Sequence, residues 1–227
     1  MSPSSADTAV ERVAEALRAE ILSGAVGLGS PLREEAAAER FGASRHTVRA
    51  AFQRLVAERL AVAEAFRGVR VVSFDRDEFV ALQQLRAALE GEAVRIAGEL
   101  HGAVWPELVL APALAVLEQL EGLDTRPPSS GAADPPEGGD GVDWLEVERL
   151  HADFHRAVVA VSASPRIIEE HDAIGSELLL FLLHIRPHHT LRGLIAEHRE
   201  LLEAVQSRGA EPMREHIAHS TEQLLES

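Results

Sequence analysis

From Asp77 onward the apolar residues of this chain recur at spacings of three and four almost to the C-terminus. That spacing puts them on one face of a helix, so most of the length can fold only as packed helices. Val80, Leu82, Leu85, Leu89, Ile96 and Leu100 form one long stripe. Pro106, well suited to the first position of a helix, opens a second that carries Leu108, Leu110, Leu114, Leu117 and Leu120. Further helices are predicted over 144–161, 165–185, 189–207 and 211–225, the last pair joined by a tight turn at Arg208-Gly209. Residues 125–141 hold four prolines and four glycines with no apolar residue beyond alanine, which reads as a flexible insert spanning 124–142.

The first 73 residues follow a different pattern. Val10, Val13, Leu17 and Ile21 mark a helix over 8–23, after which Gly24, Gly27, Gly29 and Pro31 break the chain. A short helix over 33–40 leads through Phe41-Gly42-Ala43 to a second that starts at Ser44, a residue whose hydroxyl can cap the free amides of the first turn. Val48, Ala51, Phe52 and Leu55 would face inward and leave Arg45, His46 and Arg49 outward. Residues 61–65 and 69–73 alternate weakly about Phe66-Arg67-Gly68 and predict a small hairpin. The expected fold is therefore mainly α. A winged helix-turn-helix with a small β-hairpin occupies 1–73, a linker 74–77, and an all-α bundle 78–227.

Composition excludes several function classes. There is no cysteine, so disulfides and thiolate metal sites are impossible. No apolar run approaches the ~20 residues of a membrane span, and the N-terminus has neither the basic nor the apolar region of a signal peptide; a cytoplasmic protein is expected. The net charge of −15 disfavours nucleic acid binding only as a whole-chain figure. Between Arg40 and Arg70 there are seven arginines and only Glu58 and Glu64. Charge matters to a phosphate only within about 8–10 Å, so a local basic segment on an acidic body suffices.

Two short helices joined by a glycine-containing turn are the signature of a helix-turn-helix, whose second helix enters the major groove by its N-terminal residues. Ser44, Arg45, His46, Thr47 and Arg49 supply the polar and basic side chains for that position. Arginine can address guanine O6 and N7 with two hydrogen bonds, and hydroxyls can hold phosphates. Arg67 and Gly68 at the hairpin tip would let a wing approach a phosphate or the minor groove.

With Leu17, Ile21, Gly24, Gly29, Leu32, Glu34, Ala38, Leu55, Leu60, Gly68 and Val71, the string Phe-Gly-Ala-Ser-Arg-His-Thr-Val-Arg over 41–49 resembles the winged helix-turn-helix of the GntR family of bacterial transcription regulators. Ala37 stands where that family usually packs a leucine, and Ala51-Phe52 replaces its usual Ala-Leu. The resemblance implies Arg45 and Arg49 as the leading base or phosphate readers, supported by Thr47, Ser44 and Gly68. Residues 78–226 resemble the helical effector (FCD) domain of the FadR subfamily. The carrying strings are Leu85-Arg86-Ala87-Ala88-Leu89-Glu90, Phe154-His155-Arg156-Ala157, Ser162-Ala163-Ser164-Pro165 and Glu197-His198-Arg199.

That second resemblance implies a divalent metal held by one Asp and three His, which receives a small organic acid. At the family's Asp position this chain has His151, four residues before His155, a spacing suited to sharing one metal. His198 follows Glu197 as the pattern requires. His216 and His219 both fall near the last position; counting outward from the turn at 208–209 favours His219. The predicted set is His151, His155, His198 and His219, and an all-nitrogen set favours zinc or nickel. Arg86 is the candidate for the effector's carboxylate, with an ion pair to Glu90 as the alternative. A two-fold homodimer on an inverted-repeat operator in double-stranded DNA is implied.

A rival reading is a helical metal-dependent phosphohydrolase built on His155 and His171-Asp172, and another is a regulator with a purely structural metal. No aspartate follows Asp172, and no nucleophile elbow or P-loop is present, so an enzyme is not expected.

Overall fold

A computed structural model describes residues 5–125, 142–185 and 190–226. Most of the expected insert, residues 126–141, lies outside these, as do His188 and His189. Among the described residues there are nine helices and one three-stranded antiparallel sheet. The chain divides into two compact units, residues 1–79 with 173–184, and 80–172 with 185–227.

The first unit contains α1 (Ser5–Leu22), β1 (Pro31–Leu32), α2 (Glu34–Phe41), α3 (Arg45–Ala57), β2 (Ala61–Glu64) and β3 (Gly68–Val71). Val13, Leu17 and Ile21 of α1 are buried together with Val48, Phe52 and Leu55 of α3, the two stripes that periodicity predicts. Phe52 is 1% exposed, and Ala37 on α2 is buried as well. The hairpin of β2 and β3 pairs Glu64 with Gly68. A third strand was not predicted: Pro31–Leu32 pairs with Arg70 and Val69, in the order β1-β3-β2. A two-residue strand has no period to detect, and proline is tolerated there because β1 is an edge. Residues 173–184 complete this unit, with Phe181 stacked on Phe79 and Glu177 paired with Arg59 at 3.6 Å.

The second unit takes most of α4 (Arg76–His101), then α5 (Glu107–Asp124), α6 (Trp144–Ala160), the first part of α7 (Pro165–Ile185), α8 (Leu191–Arg208) and α9 (Glu211–Glu226). Side-chain caps set two of the starts. Asp143 accepts from the Leu145 and Glu146 amides, and Thr190 accepts from that of Gly193. The core gathers Leu117 and Leu120 of α5, Phe154 and Val158 of α6, Leu194, Leu201 and Val205 of α8, and Met213 and Ile217 of α9. Among the described residues no helix is long and apolar enough to cross a membrane.

Candidate DNA-reading face and candidate metal centre

Gly42 ends α2 in the left-handed conformation (φ 58°), a backbone state that glycine reaches without a Cβ clash. Two residues on, Ser44 is extended, and its Oγ accepts the Thr47 amide at 3.1 Å. The Ser44 and Thr47 hydroxyls lie 2.9 Å apart. Both therefore build the start of α3. With Val48, Ala51, Phe52 and Leu55 turned inward, Arg45, His46 and Arg49 are left exposed. Arg49 donates to Glu34 through Nε and Nη2 at 2.9 and 2.8 Å, and Arg45 to Glu35 at 2.5 Å. The Arg49 hydrogen bond holds the Glu34 carboxyl below its ordinary range and raises the guanidinium's. Arg40 and Arg54 pair with Glu20 and Glu11 in the same way. All four acids lie before Arg40 in sequence, so the positive excess counted over 40–70 is met in the folded unit by carboxylates from α1 and α2. Arg67 at the hairpin tip is 75% exposed and lies 3.6 Å from Glu64, and Gly68 has φ 82°.

The second group is built on the buried face of α6, where Val147, Glu148, His151, Phe154, His155, Val158 and Val159 repeat at helical spacing. His151 and His155 stand one turn apart, and His198 reaches them from α8. The Nε2 atoms of His151 and His198 each lie 3.2 Å from that of His155. The outer nitrogens are engaged by acceptors. His155 Nδ1 donates to Glu90 Oε2 at 2.7 Å, His151 Nδ1 to Glu148 Oε2 at 3.1 Å, and His198 Nδ1 to the Leu194 carbonyl at 2.7 Å. A carbonyl or carboxylate oxygen can only accept, so each ring carries its proton on Nδ1 and turns an Nε2 lone pair inward. Lone pairs that face that of His155 across 3.2 Å on two sides repel it unless a cation stands between them. Zinc bonds of about 2.0–2.1 Å in a tetrahedron would set the nitrogens about 3.3 Å apart. The donor set fits such an ion, and the carboxylate behind each α6 ring is the support that metal-binding histidines usually have.

His216 is the fourth member: one ligand atom from each of His151, His155, His198 and His216 lies within 4.8 Å of the others. This corrects the expectation for His219, which is exposed at the rim of the recess, its Nε2 2.8 Å from Gln223 Nε2. Counting outward from a turn fixes height along α9 but not rotation around it. The buried face of α9 runs through Pro212, Met213 and Ile217. His219 is turned about 60° from His216, away from that face. The burial periodicity of Met213 and Ile217 was the signal that could have decided between the two.

Arg86 also departs from its expected place. It is 1% exposed, and its Nε donates to Glu90 Oε1 at 2.7 Å, the ion-pair alternative. The recess lined by His151, Leu194, Glu197, His198, His216 and Ser220 does not include it. His171 of α7, which entered the sequence reading only through the phosphohydrolase alternative, lies with Nε2 3.2 Å from the same Glu90 oxygen. Burial pushes Glu90 up, but Arg86, then His155 and His171, outweigh it and hold the carboxyl well below the usual range. Burial keeps His155 well below the usual imidazole range against the pull of Glu90, and does the same to His198, with neighbouring rings adding to it. The ionised Glu90 balances Arg86, and the two rings stay neutral and able to ligate. Asp172 pairs with Arg156 at 2.9 Å and is not a member of the histidine group, so the phosphohydrolase arrangement is absent among the described residues.

Comparison with known proteins agrees in both units. Residues 9–71 match the profile of the bacterial regulatory proteins of the gntR family, and residues 81–222 that of the FCD domain. A probable D-xylose utilization operon transcriptional repressor from Paenarthrobacter nicotinovorans is 26% identical over 212 residues, 93% of this chain and 85% of that one. BphR of Paraburkholderia xenovorans (strain LB400), an uncharacterized helix-turn-helix regulator, is 31% identical over 155 residues, covering 68% of this chain and 58% of its own. Among solved structures, a GntR-type regulator from Rhodococcus sp. RHA1 aligns with a TM-score of 0.70 at 24% identity, covering 96% of this chain and 98% of its own. E. coli McbR/YncC aligns with a TM-score of 0.65 at 21% identity, covering 96% and 95%. At those identities the likeness establishes the fold.

Proposed function

This chain belongs to the GntR family of bacterial regulatory proteins and carries an FCD domain, and from that premise we propose a regulator whose grip on its operator is set by a small organic acid at a metal-containing helical domain. As a GntR-family transcription regulator it is not an enzyme. In this reading residues 1–73 bind DNA, 74–77 link, and 78–227 form the effector domain. Arg45, Arg49 and His46 face the major groove from α3, Ser44 and Thr47 fix its first turn, and Arg67 and Gly68 carry the wing to the backbone. A homodimer places two such units on an inverted repeat.

The observation that carries the metal half is the convergence of Nε2 atoms from His151, His155 and His198, each with its Nδ1 hydrogen turned outward to a fixed acceptor. His216 completes the set, and nitrogen-only ligation by neutral rings favours zinc or nickel. Bound there, the ion would supply a positive charge at the floor of the recess for an anionic ligand. Arg86 then acts as a positioning residue that holds Glu90 ionised beneath His155. Effector binding favours one placement of the DNA-reading units over another, and by reciprocity operator DNA changes effector affinity by the same factor.

Metal analysis of the purified, tag-free protein tests this reading, alongside His151→Ala and His198→Ala. About one equivalent of zinc or nickel, lost in both variants, is the expected result under a four-nitrogen site. No metal after supplementation with either ion would overturn it.

A further inference from the structure

We propose that Phe66, at the tip of the wing, is an aromatic wedge that enters the minor groove of operator DNA and selects base steps that unstack easily. The inference rests on the DNA-binding reading of residues 1–73. Phe66 lies in the loop Ala65-Phe66-Arg67 between the paired residues Glu64 and Gly68. The Arg67 amide donates to the Glu64 carbonyl at 3.2 Å, which closes a turn with Phe66 as its third residue. Its φ is +64°, the left-handed state that glycine or asparagine normally occupies at that place and that a bulky side chain rarely adopts. Its relative exposure is 109%, so the ring packs against nothing in its own unit.

Neither the backbone nor the solvent accounts for phenylalanine here. A glycine or asparagine would fit the turn better, and any polar residue would suit the water. The residue type is explained by something the ring meets on binding. Its surroundings say what that is. Arg67, next in sequence, is 75% exposed, and Arg70, three residues further on in β3, is 36% exposed. Glu64 stands 3.6 and 3.5 Å from the two guanidinium groups and keeps both beside the tip. An apolar ring flanked by two cations, on the hairpin that follows a recognition helix, is complementary to the narrow groove of a duplex. Arginine is drawn to its negative potential, and an apolar side chain can wedge between base pairs there. Pyrimidine–purine steps such as TA and CA unstack at least cost, so the ring confers a preference for them at a fixed distance from the bases read by α3.

Selection from a random-sequence pool of duplexes tests this, with the full-length chain and its Phe66→Asn variant run in parallel. Asparagine tolerates positive φ, so the hairpin is kept, and an unchanged unfolding midpoint verifies it. Both proteins are expected to enrich the same inverted-repeat core. Only the wild type should also enrich TA or CA steps at constant spacing from it. On a duplex selected by the wild type, Phe66→Asn should bind roughly tenfold more weakly, the scale of one lost stacking contact. The slope of log affinity against log salt should not change, because the ring displaces no counterion, whereas Arg67→Ala should reduce that slope by about one. Equal enrichment of the flanking steps by both proteins, or equal affinity, overturns the proposal. Loss of self-association in Phe66→Asn, read by sedimentation, overturns it in favour of a contact between copies. Enrichment of no sequence by the wild type is a different failure, and it removes the DNA-binding reading itself.

Discussion

Arg49 and His155 each face a glutamate, and the contrast between the two pairs separates the regions of this molecule. Arg49 and Glu34 meet in water, with side chains 66% and 34% exposed. His155 and Glu90 meet at 2% and 0%. An exposed pair contributes little stability and exchanges partners readily, so a phosphate or guanine edge can take the place of Glu34. A buried pair cannot be opened without stranding charge, and it therefore fixes geometry. The arginine face is arranged to let go of its carboxylates, and the histidine group is arranged never to do so.

Glu90→Ala probes that contrast hardest. It leaves the Arg86 cation, 1% exposed, without its carboxylate and frees the outer nitrogen of His155. Urea unfolding of the metal-free chain should show a loss of about 3–5 kcal/mol. A loss near that of a surface pair would place Glu90 in the same class as Glu34 and erase the distinction. Arg49→Ala comes next. By anisotropy on a duplex selected by the wild type, binding should weaken roughly ten- to a hundredfold with metal content unchanged. Simultaneous loss of metal would show that the two regions do not separate. The smallest effect is the most pointed: Glu35→Gln removes a carboxylate that competes with phosphate for Arg45, and binding should tighten by roughly two- to fivefold, fading as salt is raised. Weaker binding would mean that Glu35 orients Arg45 instead of occupying it.

The sequence carried the helices well, because Val147, His151, Phe154, His155 and Val158 announce a buried face by spacing alone. It carried β1 poorly, since Pro31 and Leu32 become a strand only through Arg70 and Val69, 39 and 37 residues away in sequence. His155 and His198 were legible as a pair of motifs. The choice between His216 and His219 turned on the rotation of α9, which a count along the chain ignores. Arg86 was legible as two alternatives, of which the ion pair with Glu90, four residues on, is the one formed, whereas the place of His171 was not legible. His171 is held by Glu90, 81 residues earlier on α4, and a side chain's partner across a helical bundle leaves no local trace. The balance of charge over 40–70 misled in the opposite direction, because α1 and α2 return the acids that the count had left behind.

The composition of the first compact unit bears on how such regulators can be cut and recombined. Its stretch of α7 arrives more than a hundred residues after the recognition helix, bringing Phe181 onto Phe79 and Glu177 to Arg59. A fragment that stops at residue 73 would keep the reading helix and the wing, yet leave Arg59 without its carboxylate and omit the aromatic stack. A foreign reading head placed on this chain would therefore have to match its α7 segment at Glu177 and Phe181. The first unit is thus written twice in the chain, once before residue 80 and once in α7.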